Sequence, residues 1–251
     1  MPAKIIVVAN QKGGVGKTTT AVSVSHSLAL RERRVLLVDF DPQGQCATSL
    51  AVNPEPGSFN VLVNPRSDIR QWIRDSGRAC LDLIPGDRTT ATAQIVINAE
   101  NRPIDSIHQI FRELSKEYDY IIFDTAPSVG GIQERAIYAA DLALIPTATE
   151  FLSMDGLAQM MELLGVLRDH SRWDGELLGI LPTFYDEQTR TTREQISNLR
   201  TAFPEQIFTP IHRATLLREA SAEGLTIFEK AEKSRSAFEY ADLARRLSKL
   251  E

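Results

Sequence analysis

Strand-like and helix-like segments alternate along nearly the whole 251-residue chain, which predicts a single-domain α/β fold. The expected architecture is a mostly parallel, twisted sheet with helices on both faces. Two further observations support it. The strand-like segments are unbroken apolar runs, as strands covered on both faces are. Several of them end in turns rich in Gly, Asp or Pro, and such turns gather at the ligand-binding edge of a parallel sheet.

The elements follow in order. Lys4-Ile5-Ile6-Val7-Val8-Ala9 reads as a buried parallel strand, and a Gly-rich loop follows at once. Thr18 to Leu30 has no Pro or Gly and reads as a helix. Arg34 to Val38 is a second strand, ending in Asp39-Phe40-Asp41-Pro42. Leu81 to Ile84 is a short strand closed by Pro85-Gly86. Ile104 to Leu114 has helical spacing. Tyr120 to Phe123 is a strand stopping at Asp124, and Leu142–Ile145 and Leu177–Leu181 are two more. A helix from about Met154 to Arg168 lies between the last two, Ile207-Phe208 is a weak strand candidate, and Ala237 to Leu250 is a final helix. Residues 1–251 are expected to form one domain. No N-terminal helix-turn-helix region is expected, because the first strand starts at Lys4.

Composition sets bounds. The chain is 43% hydrophobic and 24% charged, enough for a sizeable core. Its net charge of -5 does not advertise nucleic-acid binding, so any such role needs a local patch. Cys46 and Cys80 are no disulfide framework; reduced thiols are expected. There is no cleavable N-terminal apolar stretch and no run long enough to span a membrane, so a cytoplasmic protein is expected.

The chemistry concentrates at strand ends. In Lys12-Gly13-Gly14-Val15-Gly16-Lys17-Thr18-Thr19 the glycines let backbone N–H groups turn towards phosphate oxygens, and the following helix aims its N-terminus at the same anion. Lys17 is placed for the β- and γ-phosphates, Thr18 for Mg²⁺ and Thr19 for an α-phosphate. The loop departs from G-x-x-x-x-G-K-[ST], because Gln11 stands where that pattern has Gly, and Lys12 adds a second lysine. Asp124, after four apolar residues, has the Walker B arrangement and would support Mg²⁺ through water. Asp39 and Asp41 end the second strand.

The loop with its early lysine resembles the deviant Walker A motif of the ParA/MinD family of ATPases, and the likeness to ParA/Soj partition ATPases extends over nearly the whole chain. It includes Asp39-Phe40-Asp41-Pro42-Gln43-Gly44, Ile145-Pro146-Thr147 through Glu150 to Leu157, Leu181-Pro182-Thr183-Phe184-Tyr185-Asp186 through Arg190, and Ile211-His212-Arg213 through Glu219-Ala220.

The resemblance implies an ATP- and Mg²⁺-dependent ATPase that forms a nucleotide-sandwich homodimer. Lys12 would act in trans on the partner's phosphates, Asp41 would position the attacking water, and Asp39 would support Mg²⁺ or loop geometry. Thr183, His212 and Ala214 fall in the base-binding segments. There the family usually has Pro and Asn at the last two positions, so a side-chain contact from that Asn is lost. The resemblance further implies non-specific DNA binding on the nucleoid, for which Arg190, Arg213 and Arg218 are the candidates, and a ParB-type partner that stimulates hydrolysis. The cargo would be a plasmid or chromosome, or alternatively a protein assembly. A MinD-like membrane regulator would need the apolar stripe of the final helix for lipid, whereas such a stripe more often docks on the core. An iron–sulfur reductase would need a cysteine beyond Asp124, and there is none. A small-molecule kinase or ligase is disfavoured by Lys12 and the C-terminal match.

Overall fold

The computed structural model describes residues 2–127, 131–149 and 154–249. Its strands are β1 (Lys4–Val8), β2 (Val35–Asp39), β3 (Arg74–Arg78), β4 (Leu81–Ile84), β5 (Tyr120–Asp124), β6 (Leu142–Ala148) and β7 (Glu176–Thr183). Its helices are α1 (Lys17–Ala29), α2 (Gln45–Leu50), α3 (Ser58–Val63), α4 (Thr90–Ala99), α5 (Ser106–Phe111), α6 (Ile132–Ala139), α7 (Met154–Ser171), α8 (Arg190–Ala202), α9 (Thr215–Ala222), α10 (Ile227–Lys230) and α11 (Arg235–Leu247).

The strands form one seven-stranded sheet in the order β3-β4-β2-β5-β1-β6-β7, parallel except where β3 runs against β4. The register aligns Val8 with Asp124 and Asp39 with Asp124, so the carboxyl ends of β1, β2 and β5 meet at one edge. Because β1, β2 and β5 are central, Ile5 to Val8, Val35 to Val38 and Tyr120 to Phe123 are buried on both faces. This explains their unbroken apolar sequences. Two cores result. One, on the α5–α6–α7 side, packs Phe111 edge to face against Phe40 and Phe123, which are tilted against each other, with ring centroids 5.0–6.2 Å apart. The other lies under α1 and α11.

The structure revises several expectations. Ile207 makes a single parallel bridge to Ile180 rather than a strand. The helix expected over Ile104–Leu114 shrinks to α5 plus a short 3₁₀ turn at Leu114–Lys116. β3 is unforeseen, because Arg-Asp-Ser-Gly-Arg carries no apolar alternation. It is an edge strand joined to β4 by backbone pairing, and of its side chains only Ser76 is buried. The apolar stripe of the final helix faces inward. Ala237, Tyr240, Leu243, Ala244 and Leu247 are buried in the second core beside α1, leaving Phe238 as the exposed aromatic. The stripe is a docking face. No described helix is long and apolar enough to cross a membrane.

Candidate functional site

The loop between β1 and α1 is held by the ends of β6 and β7 and by a bond of its own. The buried Asn10 donates its Nδ2 to the Pro146 carbonyl at the end of β6 (2.8 Å) and accepts the Lys12 backbone N–H (2.9 Å). The Thr183 hydroxyl, from the end of β7, donates to the Val15 carbonyl (2.9 Å). Gly16, the residue before α1, has φ +84°, which glycine adopts without a Cβ penalty. The result is an open cleft bordered by Gly13 to Thr19, Asp41, Pro42 and Gln43, with Ala126, Pro127 and Phe184 opposite. Backbone amides, the start of α1 and Lys17 converge there, which is the chemistry of a phosphate site.

Lys17 is buried, and its Nζ donates to the Lys12 carbonyl (2.8 Å). Burial lowers its pKa, and the carboxylates of Asp124 and Asp41 oppose that shift. Lys12 goes elsewhere. Its side chain lies against Gly156 in the first turn of α7, where an added Cβ would come within 2.5 Å of Lys12 Cε and 3.0 Å of Nζ. Lys12 is not among the described residues bordering the phosphate cleft of its own chain.

Asp39 is fully buried and shapes the turn after β2. Its Oδ1 accepts the Asp41 N–H (2.9 Å) and its Oδ2 the Cys46 N–H (3.1 Å). Asp41 caps the next turn by accepting the Gln43 N–H (2.9 Å) and borders the cleft. Asp124 is fully buried; the Thr18 hydroxyl and the Cys46 thiol bond to its carboxylate, the thiol reaching Oδ2 at 3.5 Å. Burial raises the Asp124 pKa to about 6, against the Thr18 hydrogen bond. Burial, and then the Asp124 charge, pushes Asp39 well above the usual carboxylate range. The Asp124 Oδ1 has no hydrogen-bond partner among the described residues. That orphaned oxygen beside the Thr18 hydroxyl and below the phosphate cleft fits Mg²⁺, a hard cation that takes oxygen donors.

A cavity of about 350 Å³ adjoins the loop on the other side. Gly14, Gly16, Thr19, Thr183, Phe184, His212, Ala214, Arg218 and Tyr240 are among its walls. All three expected base-site residues, Thr183, His212 and Ala214, therefore come together beside the phosphate loop. The His212 ring is held by Glu239 through Nδ1 (2.6 Å) and packs edge-on against Tyr185. The DNA candidates separate. Arg190 stands at the start of α8, 87% exposed and paired with Glu194. Arg213 and Arg218 border this same cavity, and the Arg213 guanidinium sits 5.9 Å from the Phe184 ring centre. Residues 150–153 of the expected dimer-face segment lie outside the described residues. Asn10 and Cys46 are site residues that the sequence reading missed. Asn10 carries a signal, a polar residue between an apolar strand and a Gly-rich loop; Cys46 carries none.

A parallel sheet with a Gly-rich strand-to-helix loop, a buried lysine and a metal-ready aspartate defines a P-loop ATPase. Residues 3–175 match the AAA_31 family model, described as an AAA domain. The chromosome partitioning protein ParA of Myxococcus xanthus is 34% identical over 98% of this chain and 88% of its own length. The sporulation initiation inhibitor protein Soj of Bacillus subtilis is 33% identical over 98% of both chains. Among solved structures, cobyrinic acid a,c-diamide synthase from Mycobacterium smegmatis, with a bound ATP analog and magnesium, superimposes with a TM-score of 0.85 at 28% identity, over 98% of this chain and 94% of that one. The chain belongs to the ParA/MinD family of deviant Walker A ATPases, on its ParA/Soj side.

Proposed function

We propose that this ATPase is a partition motor that dimerises on ATP, binds DNA without sequence preference and has its hydrolysis stimulated by a ParB-type partner, which releases it from DNA. The observation that carries this reading is the placement of the two lysines. Lys17 lies in its own phosphate cleft, while the Lys12 side chain is laid against Gly156 of α7 and is not among the described residues bordering that cleft. In the family this chain belongs to, the early lysine acts on the phosphates of a second copy, and Lys12 would there neutralise charge at the transferred group as an arginine finger does. Within each chain, the loop amides and Lys17 hold the β- and γ-phosphates. Asp41, at the mouth of the cleft, orients the attacking water. Thr18 and Asp124 would hold Mg²⁺, which neutralises phosphate charge when bound; Asp39 keeps the turn that carries Asp41 in place. Thr183, His212 and Ala214 border the base.

Arg190 supplies phosphate contacts to DNA from α8, with Arg213 and Arg218 at the cavity rim coupling DNA to the nucleotide state. The relatives named for chromosome partitioning support this assignment. The protein would act in the cytoplasm on the nucleoid, without stable membrane association, since the apolar stripe of α11 is buried.

The test is sedimentation with ATP or ADP. Wild type dimerises with ATP, Lys12→Ala does not, and Asp41→Ala accumulates as the ATP dimer. Retention on DNA follows ATP, weakens steeply with salt and falls with Arg190→Ala. Normal turnover and dimerisation by Lys12→Ala would refute the trans role; salt-insensitive or nucleotide-independent retention removes DNA from the function.

A further inference from the structure

A cavity of about 290 Å³ lies between α4, α6 and the turns after β2 and β5. It is back to back with the phosphate cleft. Pro42, one residue after Asp41, and Ala126, two after Asp124, border both spaces. Phe40, Pro42, Ile95 and Ile132 make its apolar walls, and none of its described walls carries an ionisable side chain. Phe40 and Ile132 are buried while Ile95 is 69% exposed, so the walls run from the core out to solvent. A second, independent observation points to a ligand. Gln133, in the first turn of α6, lines the cavity and is 1% exposed, yet its Oε1 has no hydrogen-bond partner among the described residues. Its Nε2 donates to the Ala126 carbonyl (3.0 Å) and, more weakly, to the Thr125 hydroxyl oxygen (3.4 Å). That fixes the amide, because the reverse orientation would set oxygen against the Ala126 carbonyl oxygen. The hydroxyls lining the cavity are already engaged. Thr125 donates to the Val8 carbonyl, and Thr90 Oγ1 bonds the Ser58 hydroxyl and accepts the Asp87 N–H. Buried acceptors are rarely left without a donor.

We propose that this cavity is an effector site for a small uncharged molecule with an aromatic ring and a ring N–H, and that filling it slows ATP turnover. The N–H complements Gln133 Oε1, an acceptor without a donor. The ring covers the apolar walls, and a rigid ring loses little conformational freedom on binding. A charged ligand is disfavoured, because no described wall offers it an opposite charge. The volume is near the lower limit of ordinary ligand pockets, about 300 Å³, which suits a molecule of one or two rings. Pro42 and Ala126 carry the coupling. A ligand packed against both stiffens the turn that carries Asp41, while the phosphate loop, hung from β1, is left alone. The turnover effect rests on the proposed role of Asp41; the site itself does not depend on that role, on DNA, on dimerisation or on a partner protein.

Indole and benzofuran are the probes. They share a shape, but benzofuran has a ring oxygen in place of the N–H. The full-length, nucleotide-free protein should bind indole saturably in ligand-observed NMR, and benzofuran about fivefold more weakly. Indole should also shift the side-chain amide signals of Gln133. Ile95→Lys, at an exposed position, should weaken indole severalfold by removing an apolar wall. Gln133→Leu should remove the difference between the two probes. Should Gln133→Leu fail to fold, the two probes on wild type and on Ile95→Lys decide the point. No saturable binding, equal binding of both probes to wild type, or competition with ATP, which would place indole beside His212, overturns the proposal; the Gln133 oxygen then belongs to a water. Saturating indole should lower kcat about fivefold at unchanged ATP affinity. Indole bound at Gln133 with kcat unchanged overturns the effector role. Asp41→Ala keeps the readings apart: wild-type turnover in that variant removes the role of Asp41, whereas the indole–benzofuran difference stands or falls without it.

Discussion

Gly86 offers a way to move the turn that carries Asp41 without touching it. It follows β4 and is buried against the turn after β2. A Cβ added there would lie 2.4 Å from the Asp41 carbonyl oxygen and 2.9 Å from both Cγ and Oδ1 of Asp39. An ordinary carbon–oxygen contact is about 3.4 Å, so Gly86→Ala creates an overlap of about 1 Å. Neither neighbour can swing aside. One is backbone, and the other is pinned by the Asp41 and Cys46 amides at 2.9 and 3.1 Å. Overpacking of this kind costs about 1–3 kcal/mol, and losing one charge-assisted bond of Asp39 adds about 1.5 kcal/mol. The expected destabilisation is thus about 2.5–4.5 kcal/mol. Shifting Asp41 by about 1 Å should lower kcat by about 100-fold. ATP affinity should change only a few-fold, because the phosphate loop hangs from β1. Urea unfolding, steady-state turnover and nucleotide titration measure the three quantities. Gly165→Ala is the matched control: a Cβ there meets nothing within 4 Å, in the middle of α7. It should leave turnover unchanged and add up to about 1 kcal/mol of stability. Wild-type turnover with an unshifted unfolding midpoint in Gly86→Ala would show that the β2 turn is not tightly seated and that Asp41 does not depend on it.

Three other outcomes follow from buried contacts. Burial lowers the His26 pKa below its ordinary value of 6.5, while its Nδ1 bonds the Thr226 hydroxyl at 2.7 Å. The unfolded chain therefore takes up the proton first, and stability should fall as pH drops from about 7 through 6.5 towards the lower folded-state value; His26→Gln should flatten that slope in urea titrations. Arg78 has a nearly buried side chain that pairs with Glu229 at 2.8 Å and donates to the Leu50, Ser76 and Gly224 carbonyls. Arg78→Ala should cost about 3 kcal/mol by thermal or urea unfolding, and Arg78→Lys should recover little because lysine lacks the fork. Thr183→Val removes the hydroxyl that braces Val15. A loss of about 1 kcal/mol should appear as roughly fivefold weaker ATP binding, and unchanged affinity would show that the loop holds its shape without β7.

The readable parts of this chain are those whose chemistry is local. Residues 12–19 hold a complete anion site within eight positions, and the apolar run before Asp124 announces a buried strand ending in an acid. The central strands were legible because burial on both faces leaves only apolar residues. β3 was not, because an edge strand can be built from Arg, Asp, Ser and Gly when backbone pairing suffices. Asn10 and Cys46 escaped notice for another reason: their partners are 136 and 78 positions away.

By itself, then, the sequence determined that this is a P-loop ATPase, and through Lys12 that it resembles the kind completed by a second copy. Glycine torsions, a helix start and a lysine act over a few bonds and need no fold to be recognised. Only the tertiary structure decided where Lys12 rests, that the apolar face of α11 is buried against the core, and that a cysteine lies between two aspartates. Those facts depend on strand register and helix packing, which bring distant residues to within a hydrogen bond of each other and leave no trace in local spacing.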